Sequence, residues 1–283
     1  MECPLVSAII TTHNRKDLVI KSIKSVMDQT YSNIEIIVVD DGSTDDTGHY
    51  IEKIADEASL KYIYNSDALG GNHARNIGIN HSKGEYLAFL DDDDEWLPSK
   101  IEKQVRYYLD HPESAFIGCA RIDEYDFHTR FYQDPYSIPE GDLSKIIFCR
   151  FLFTTSCMMI RKDKLLRVGL FDEFLKFWQD YELQIRLCQT GDIGVLRENL
   201  TLYRILTKDK DRKTNQFDGW MEAVDYIRSK HQDLISELPE SILSKMELLL
   251  LDDGIYRAEI CGRNDEKLRL LAKKRLMKEM LIT

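Results

Sequence analysis

Apolar residues in the first hundred positions fall into short β-branched runs separated by stretches of helical spacing. Residues 6–10 and 34–39 are nearly continuous apolar runs, residues 61–64 form a weaker third, and residues 86–90 a fourth. Between the first two, Leu18, Ile23, Val26 and Met27 recur near a helical period. Ile51 and Ile54 do so before the third run, and Ala74, Ile77 and Gly78 before the fourth. Runs without strict alternation imply strands buried on both faces, so the pattern predicts a mainly parallel central sheet with helices on both sides. Sheets of this open α/β kind bind ligands at the carboxyl ends of their strands.

The pattern loosens after about residue 110. Residues 121–145 are polar and aromatic with turn residues, and read as an irregular excursion that frames a substrate. Residues 151–160 read as a further strand, and residues 180–189 as a helix with Leu183 and Leu187 four apart. The charge run at 208–213 (KDKDRK) reads as a solvated boundary, and beyond it Trp220, Val224 and Ile227 keep helical spacing. These features divide the chain into a catalytic domain at 1–207 and a C-terminal helical region at 208–283. There is no internal repeat.

Three polar clusters follow the first, second and fourth strands: Thr11-Thr12-His13-Asn14-Arg15, Asp40-Asp41-Gly42-Ser43-Thr44-Asp45, and Asp91-Asp92-Asp93-Asp94-Glu95. A parallel sheet brings all three to one edge. Adjacent carboxylates are costly, because two unit charges ~4 Å apart repel by roughly 4 kcal/mol at an effective dielectric near 20. A hard divalent cation such as Mg²⁺ or Mn²⁺ turns that repulsion into attraction. Alternation along a strand lets Asp91 and Asp93 share a direction while Asp92 points elsewhere, an arrangement able to hold a metal against the phosphates of a nucleotide. The bland alternative is a solvated acidic loop ahead of a helix beginning near Pro98. An EF-hand is excluded, since Trp96 stands where its loop requires glycine. In the second cluster, Ser43 to Asp46 read as a capped turn, while one of Asp40 and Asp41 suits the N–H of a ligand such as a nucleobase.

Composition narrows the classes. The 283 residues carry a net charge of −11, against a general nucleic-acid binder. Six scattered cysteines with no C-x-x-C pair suggest reduced thiols, not a disulfide framework or zinc site. The start, Met1-Glu2-Cys3-Pro4, lacks the basic and apolar regions of a secretory signal. The best apolar stretch, 146–153, is interrupted by Arg150. A cytoplasmic protein is expected. The segment 265–283 holds six basic and three acidic residues, with Leu268, Leu271, Ala272 and Leu276 on one predicted side and Lys267, Lys274 and Lys278 on another. Such a helix suits packing within the protein or peripheral contact with the inner face of an anionic membrane.

Six segments together resemble one family. VSAIITTHNR (6–15), EIIVVDDGSTDDT (35–47), GGNHARNIGI (70–79), GEYLAFLDDDDEW (84–96), VGLFDE (168–173) and FWQDYELQIRL (177–187) occur in the order and spacing of the family 2 inverting glycosyltransferases of GT-A fold. The likeness spans residue 5 to about 204. It implies that Thr11 and His13 line the nucleotide base pocket, that Asp41 hydrogen-bonds the base with Asp40 beside it, and that Arg75 lies near the nucleotide. It further implies that Asp92 faces the ribose and that Asp93, with Asp91 as the other half of an Asp-x-Asp, ligates the metal.

By the same resemblance Asp180 is the general base. Inversion is a single displacement, so a base must take the acceptor hydroxyl's proton opposite the leaving nucleoside diphosphate. Without the resemblance, a helix N-cap is the simpler reading of Asp180. Trp178, two residues earlier, offers a face for a sugar ring, as Trp96 and Trp220 do less directly; Thr154, Thr155 and Ser156 would sit near the donor sugar. The 65–72 loop, with Gly70-Gly71, is expected to close over the nucleotide, and Phe171-Asp172-Glu173 to form a structural turn. Two positions depart from the pattern: Gln179 replaces a common Glu, and Leu206 stands where many members place a His that would ligate the metal.

The expectation is therefore an inverting, metal-dependent (Mn²⁺ or Mg²⁺) glycosyltransferase. It would move a sugar from a nucleotide-sugar, UDP-linked by the resemblance, to a saccharide or lipid-linked saccharide in surface polysaccharide or glycoconjugate synthesis. A sugar nucleotidyltransferase would need a glycine-rich phosphate loop after the first strand, and residues 11–16 contain no glycine. A phosphatase or receiver domain using Asp40 as nucleophile does not account for the later motifs. A non-catalytic scaffold that retains the fold draws its support from Leu206.

Overall fold

The computed structural model describes residues 3–57, 60–207 and 216–280. The expected boundary run at 208–213 and the last three residues of the C-terminal segment lie outside the described residues. The chain divides into two compact units. The first comprises Met1–Leu143, Leu152–Phe174 and Gln179–Thr207, and the second Ser144–Phe151, Leu175–Trp178 and Lys208–Thr283.

The first unit is built on one sheet. Its strands are β1 (Val6–Thr12), β2 (Ile34–Asp40), β3 (Leu60–Tyr64), β4 (Tyr86–Asp91), β5 (Glu95–Trp96), β6 (Phe116–Tyr125), β7 (Thr129–Tyr132), β8 (Met158–Arg161) and β9 (Ile193–Ile205). The order is β3-β2-β1-β4-β8-β6-β9-β5, with β7 paired to β6. The pairs β3-β2, β2-β1 and β1-β4 are parallel, as the continuous apolar runs imply. Beyond β4 the sheet is mixed: β8 joins β4 and β6 antiparallel, and β6 runs parallel to β9.

Helices cover both faces: α1 (Lys16–Met27), α2 (Thr47–Glu57), α3 (Gly71–His81), α4 (Lys100–Asp110), α5 (Lys162–Val168) and α6 (Gln179–Cys188). On one face Ala8, Ile10, Val38 and Leu90 pack with Val19 and Ile23 of α1, Ile51 of α2, and Ile101 and Tyr108 of α4. On the other, Ile37 and Val39 meet Ala74, with Ile63 and Ile77 at the margin. Fully burying such an aliphatic side chain contributes about 1.5–3 kcal/mol. Helix α3 lies so close to the sheet that a Cβ at Gly78 would stand 2.5 Å from Ile9 Cγ2, so the helix tolerates the glycine's propensity cost for the sake of that contact.

Two expectations for this unit are corrected. Residues 151–160 are not one strand; only Met158–Arg161 is, and Thr155–Cys157 form a 3₁₀ turn. The Gln184 side chain takes the place of a neighbouring strand at Phe153, accepting from its N–H at 3.1 Å and donating to its carbonyl at 2.8 Å. Residues 121–145 are not wholly irregular, since β6 runs to Tyr125 and returns as β7 after a turn in which Asp126 and Phe127 have φ of 47° and 65°. The inward-facing Glu124 masked the alternation.

The second unit holds α7 (Phe217–Lys230), α8 (Gln232–Ser236), α9 (Glu240–Ile260) and α10 (Asn264–Met280). Helix α7 buries Trp220, Val224 and Ile227 as the spacing predicts. Helix α10 runs antiparallel to α9, with Lys274 paired to Asp252 and Lys267 to Glu259 at 2.9 Å. Lys267 and Lys274 therefore belong to the side facing α9, while Leu268 and Leu276, on the predicted apolar side, are exposed. No helix among the described residues is long and apolar enough to cross a membrane.

Candidate active site

Register alone assembles the edge. Thr12 sits opposite Asp40, and Thr11 opposite Asp91, so β1, β2 and β4 end side by side. The three polar clusters meet there.

After β2, the two aspartates act differently. Asp40 is fully buried, accepting from the Ser43 N–H at 2.9 Å and from the Tyr62 hydroxyl at 2.9 Å. Both oxygens are occupied, so Asp40 holds the turn. Asp41 is also buried and also has both oxygens occupied, but by the following loop: it accepts from the Asn65 amide at 2.7 Å, the Leu69 N–H at 3.2 Å and the Gly70 N–H at 2.6 Å. It thereby ties down the 65–70 loop before α3, and Gly70 makes the entry with φ of 102°. His13 is exposed, with Nδ1 2.7 Å from the Asp41 carbonyl. Asn14, at φ 52°, accepts from the Thr44 N–H at 2.7 Å and joins the loops after β1 and β2.

After β4, charge meets charge. Arg75 on α3 donates to Asp91 at 2.5 Å, while its guanidinium lies 5.4 Å from the Phe171 ring. Asp91 receives further support from the Ser156 hydroxyl, which accepts its N–H at 3.1 Å. Asp92 is buried, held by the Thr12 hydroxyl at 2.8 Å and by Arg15 at 3.2 Å; Arg15 also reaches Asp93 at 3.0 Å. Burial and the neighbouring Asp93 charge push the Asp92 carboxyl up to about 7, against the pull of Arg15. Asp94 is completely buried; its Oδ1 accepts from the Arg204 N–H at 3.0 Å and its Oδ2 has no hydrogen-bond partner. Burial, then Asp93 and Asp91, raise its carboxyl well above the usual range.

Asp180 lies in the first turn of α6 and accepts from the Tyr181 N–H at 3.0 Å. Burial chiefly raises its pKa to about 6; the Tyr181 N–H opposes this, the Asp91 charge adds to it and Arg75 subtracts. The Asp91–Arg75 pair is thus part of the electrostatic surroundings of Asp180. Carboxylates from β4 and α6 share one environment.

Two residues of the site were given no role by sequence reasoning. Arg15 closes the first polar cluster, and its signal was a cation facing an acidic run across the strand ends. Arg204 is buried and meets Glu124 at 3.1 Å, Glu95 and the Asp93 carbonyl; no local pattern marks it. Trp96, by contrast, is a core residue, 3% exposed and donating to the Ser156 carbonyl at 2.9 Å, so it offers no face to a sugar. Trp178, in the second unit, packs edge-on against Trp220 at 6.0 Å.

For a metal, Asp91 and Asp93 present partly exposed carboxylates, with side chains 30% and 26% accessible. No group of three or more metal-capable side chains occurs among the described residues. The oxygen donors suit a hard cation that completes its shell with phosphate and water. They do not form a closed cage.

The fold is shared with solved glycosyltransferases. A mannosyltransferase of Pyrobaculum calidifontis, solved with GDP-Man and Mn²⁺, superposes with a TM-score of 0.67 at 17% identity over 97% of this chain and 80% of that one. TarS of S. aureus, residues 1–349 with UDP-GlcNAc, gives 0.62 at 16% identity over 97% and 90%. The architecture is that of the GT-A fold. The family model for glycosyl transferase family 2 matches residues 7–170, more than half of the chain. The chain belongs to that family and is a glycosyltransferase. A glycosyltransferase of Rickettsia prowazekii with no assigned substrate is 30% identical over 266 residues, covering 90% of this chain and 82% of that protein. An Escherichia coli protein, WfaP, described as a UDP-Glc:alpha-D-GlcNAc-diphosphoundecaprenol beta-1,3-glucosyltransferase, is 34% identical over 204 residues, 71% of this chain and 77% of that one.

Proposed function

We propose that this chain catalyses inverting, metal-dependent transfer of a sugar from a UDP-sugar to a hydroxyl of a saccharide or lipid-linked saccharide acceptor. The observation that carries the reading is the meeting of the polar ends of β1, β2 and β4 at one sheet edge, where Arg75 of α3 grips Asp91. Asp41, with its neighbouring amides, and the residues Thr11 and His13 would receive the base. Asp92 would face the ribose, and Arg75 would lie against the nucleotide. Asp91 and Asp93 would hold a divalent cation, Mn²⁺ or Mg²⁺, which when bound supplies positive charge to the leaving diphosphate. The likeness to WfaP supports both the UDP-linked donor and the lipid-linked acceptor.

In this reading Asp180 accepts the proton of the acceptor hydroxyl as its oxygen bonds to the anomeric carbon. The bond from that carbon to the diphosphate oxygen breaks, and the configuration inverts. A carboxylate that loses its proton near pH 6 is ionised at neutral pH, yet more basic than an exposed aspartate. That suits a base which must start unprotonated.

The test is a panel of nucleotide-sugars assayed for nucleoside-diphosphate release with Mn²⁺ present and a saccharide acceptor added. UDP release from one UDP-sugar, accelerated by acceptor, is expected. Binding of UDP without turnover of any nucleotide-sugar would favour a non-catalytic scaffold.

A further inference from the structure

The acidic turn after β4 does not hold itself in place. Asp94 leaves Oδ2 without a partner, and the backbone N–H of Asp94 returns only to the Asp91 carbonyl, at 3.1 Å. Its other carbonyls are fixed from outside. The Ser22 hydroxyl of α1 contacts the Asp92 and Asp94 carbonyls at 2.8 and 2.6 Å. The Asp93 carbonyl receives Arg204 of β9 at 3.3 Å. The backbone N–H of Arg204 also donates to Asp94 Oδ1 at 3.0 Å.

Arg204 is an expensive residue to keep there. It is 6% exposed, and its principal partner Glu124 is 3% exposed. The same guanidinium meets Glu95, lies 4.9 Å from the Phe127 ring, and shares Glu124 with Arg130. Buried ion pairs of this kind rarely stabilise a fold more than well-packed apolar side chains would. What the group supplies is a fixed direction: one cation, gripped by β5 and β6, reaching the turn that carries Asp91, Asp92 and Asp93. Leu206, two residues further on, brings no ligating group of its own.

We infer that Arg204 is the positioning residue of the cation–diphosphate site, setting the carboxylates of the 91–93 turn through the Asp93 carbonyl and Asp94 and anchored in this role by Glu124. This rests on the cation and nucleoside-diphosphate reading proposed above.

The experiment is calorimetric titration of UDP into the full chain at a series of Mn²⁺ concentrations, comparing wild type with Arg204→Met, Arg204→Lys and Glu124→Gln. Loss of a residue that orients metal ligands costs ~10–100-fold in metal affinity. The Mn²⁺ needed for half-maximal UDP binding is accordingly expected to rise by that factor in Arg204→Met, with partial recovery in Arg204→Lys and a smaller rise in Glu124→Gln. Metal-free UDP affinity should stay as in wild type. Thermal melts identify any variant that fails to fold; should Arg204→Met do so, Glu124→Gln and Arg204→Lys carry the test. An unchanged Mn²⁺ requirement in the folded variants overturns the inference, as does an equal loss of UDP affinity with and without Mn²⁺. A wild-type chain whose UDP binding ignores Mn²⁺ overturns the underlying site reading itself, a result separable from the first two.

Discussion

The acidic loops closing β2 and β4 lie at one sheet edge but treat their carboxylates in opposite ways. After β2, Asp40 and Asp41 receive neutral donors: backbone N–H groups, an amide and a tyrosine hydroxyl. After β4, Asp91, Asp92 and Asp93 are met by the guanidinium groups of Arg75 and Arg15. Neutral donors fix a carboxylate's direction without cancelling its charge, which suits hydrogen bonding to a neutral ligand such as a base. Salt-bridged carboxylates at a partly open edge concentrate charge that a cation and a diphosphate can share. The difference supports the proposed division, with the base at one loop and the diphosphate at the other.

The largest effect is expected away from both loops, at the residue they serve. Asp180→Asn should lower kcat by ~10³-fold, within the usual range for removing a general base, while UDP affinity stays near that of wild type. Near-normal transfer by this variant would remove Asp180 from its role.

The pH profile sharpens the same point. With its pKa raised to about 6, Asp180 is protonated and inactive as a base below that value. Turnover should fall about tenfold per pH unit below 6 and level off above it, since the ionised fraction of the carboxyl shrinks by that factor. The stability consequence has the opposite sense. A carboxyl raised in the folded state favours folding most at low pH, and that contribution is lost as pH rises from about 4 to about 6. At pH 7.5, Asp180→Asn should therefore melt at a higher temperature than wild type even as it loses turnover. A lower melting temperature would indicate that the charged form is stabilised by contacts other than those described.

The smallest effects separate the two residues of the β2 loop. Asp41→Asn should weaken UDP binding by ~10-fold, about 1.4 kcal/mol, the scale of one charge-assisted hydrogen bond. Asp40→Asn should instead cost ~1–2 kcal/mol of unfolding free energy in a denaturant melt and leave UDP binding unchanged. Equal effects of both on UDP binding would erase the division of labour between them.

How much of this was legible in the chain depends on how each residue meets its neighbours. The runs of β1, β2 and β4 are apolar on both faces, and their ends carry turn and acidic residues, so the parallel edge and its clusters follow from local pattern. Asp180 was read through resemblance; the charges that act on it, Asp91 and Arg75, are distant from it in the sequence. Arg204 and Glu124 were not readable, because a buried ion pair looks like two surface charges until both partners are located. The 3₁₀ turn at Thr155–Cys157 was hidden for a related reason: the Gln184 side chain, distant in sequence, bonds both backbone groups of Phe153 in place of a strand. In α10, lysines that pattern alone would place in solvent lie inward against the acids of α9.

The central claim, that the turn after β4 binds a divalent cation together with a nucleoside diphosphate, is tested most directly by calorimetric titration of UDP into the wild-type chain with and without Mn²⁺. The account predicts UDP binding at least tenfold tighter with the metal, about 1.4 kcal/mol, and loss of that increment in Asp93→Asn. Equal affinity in the two conditions would contradict it.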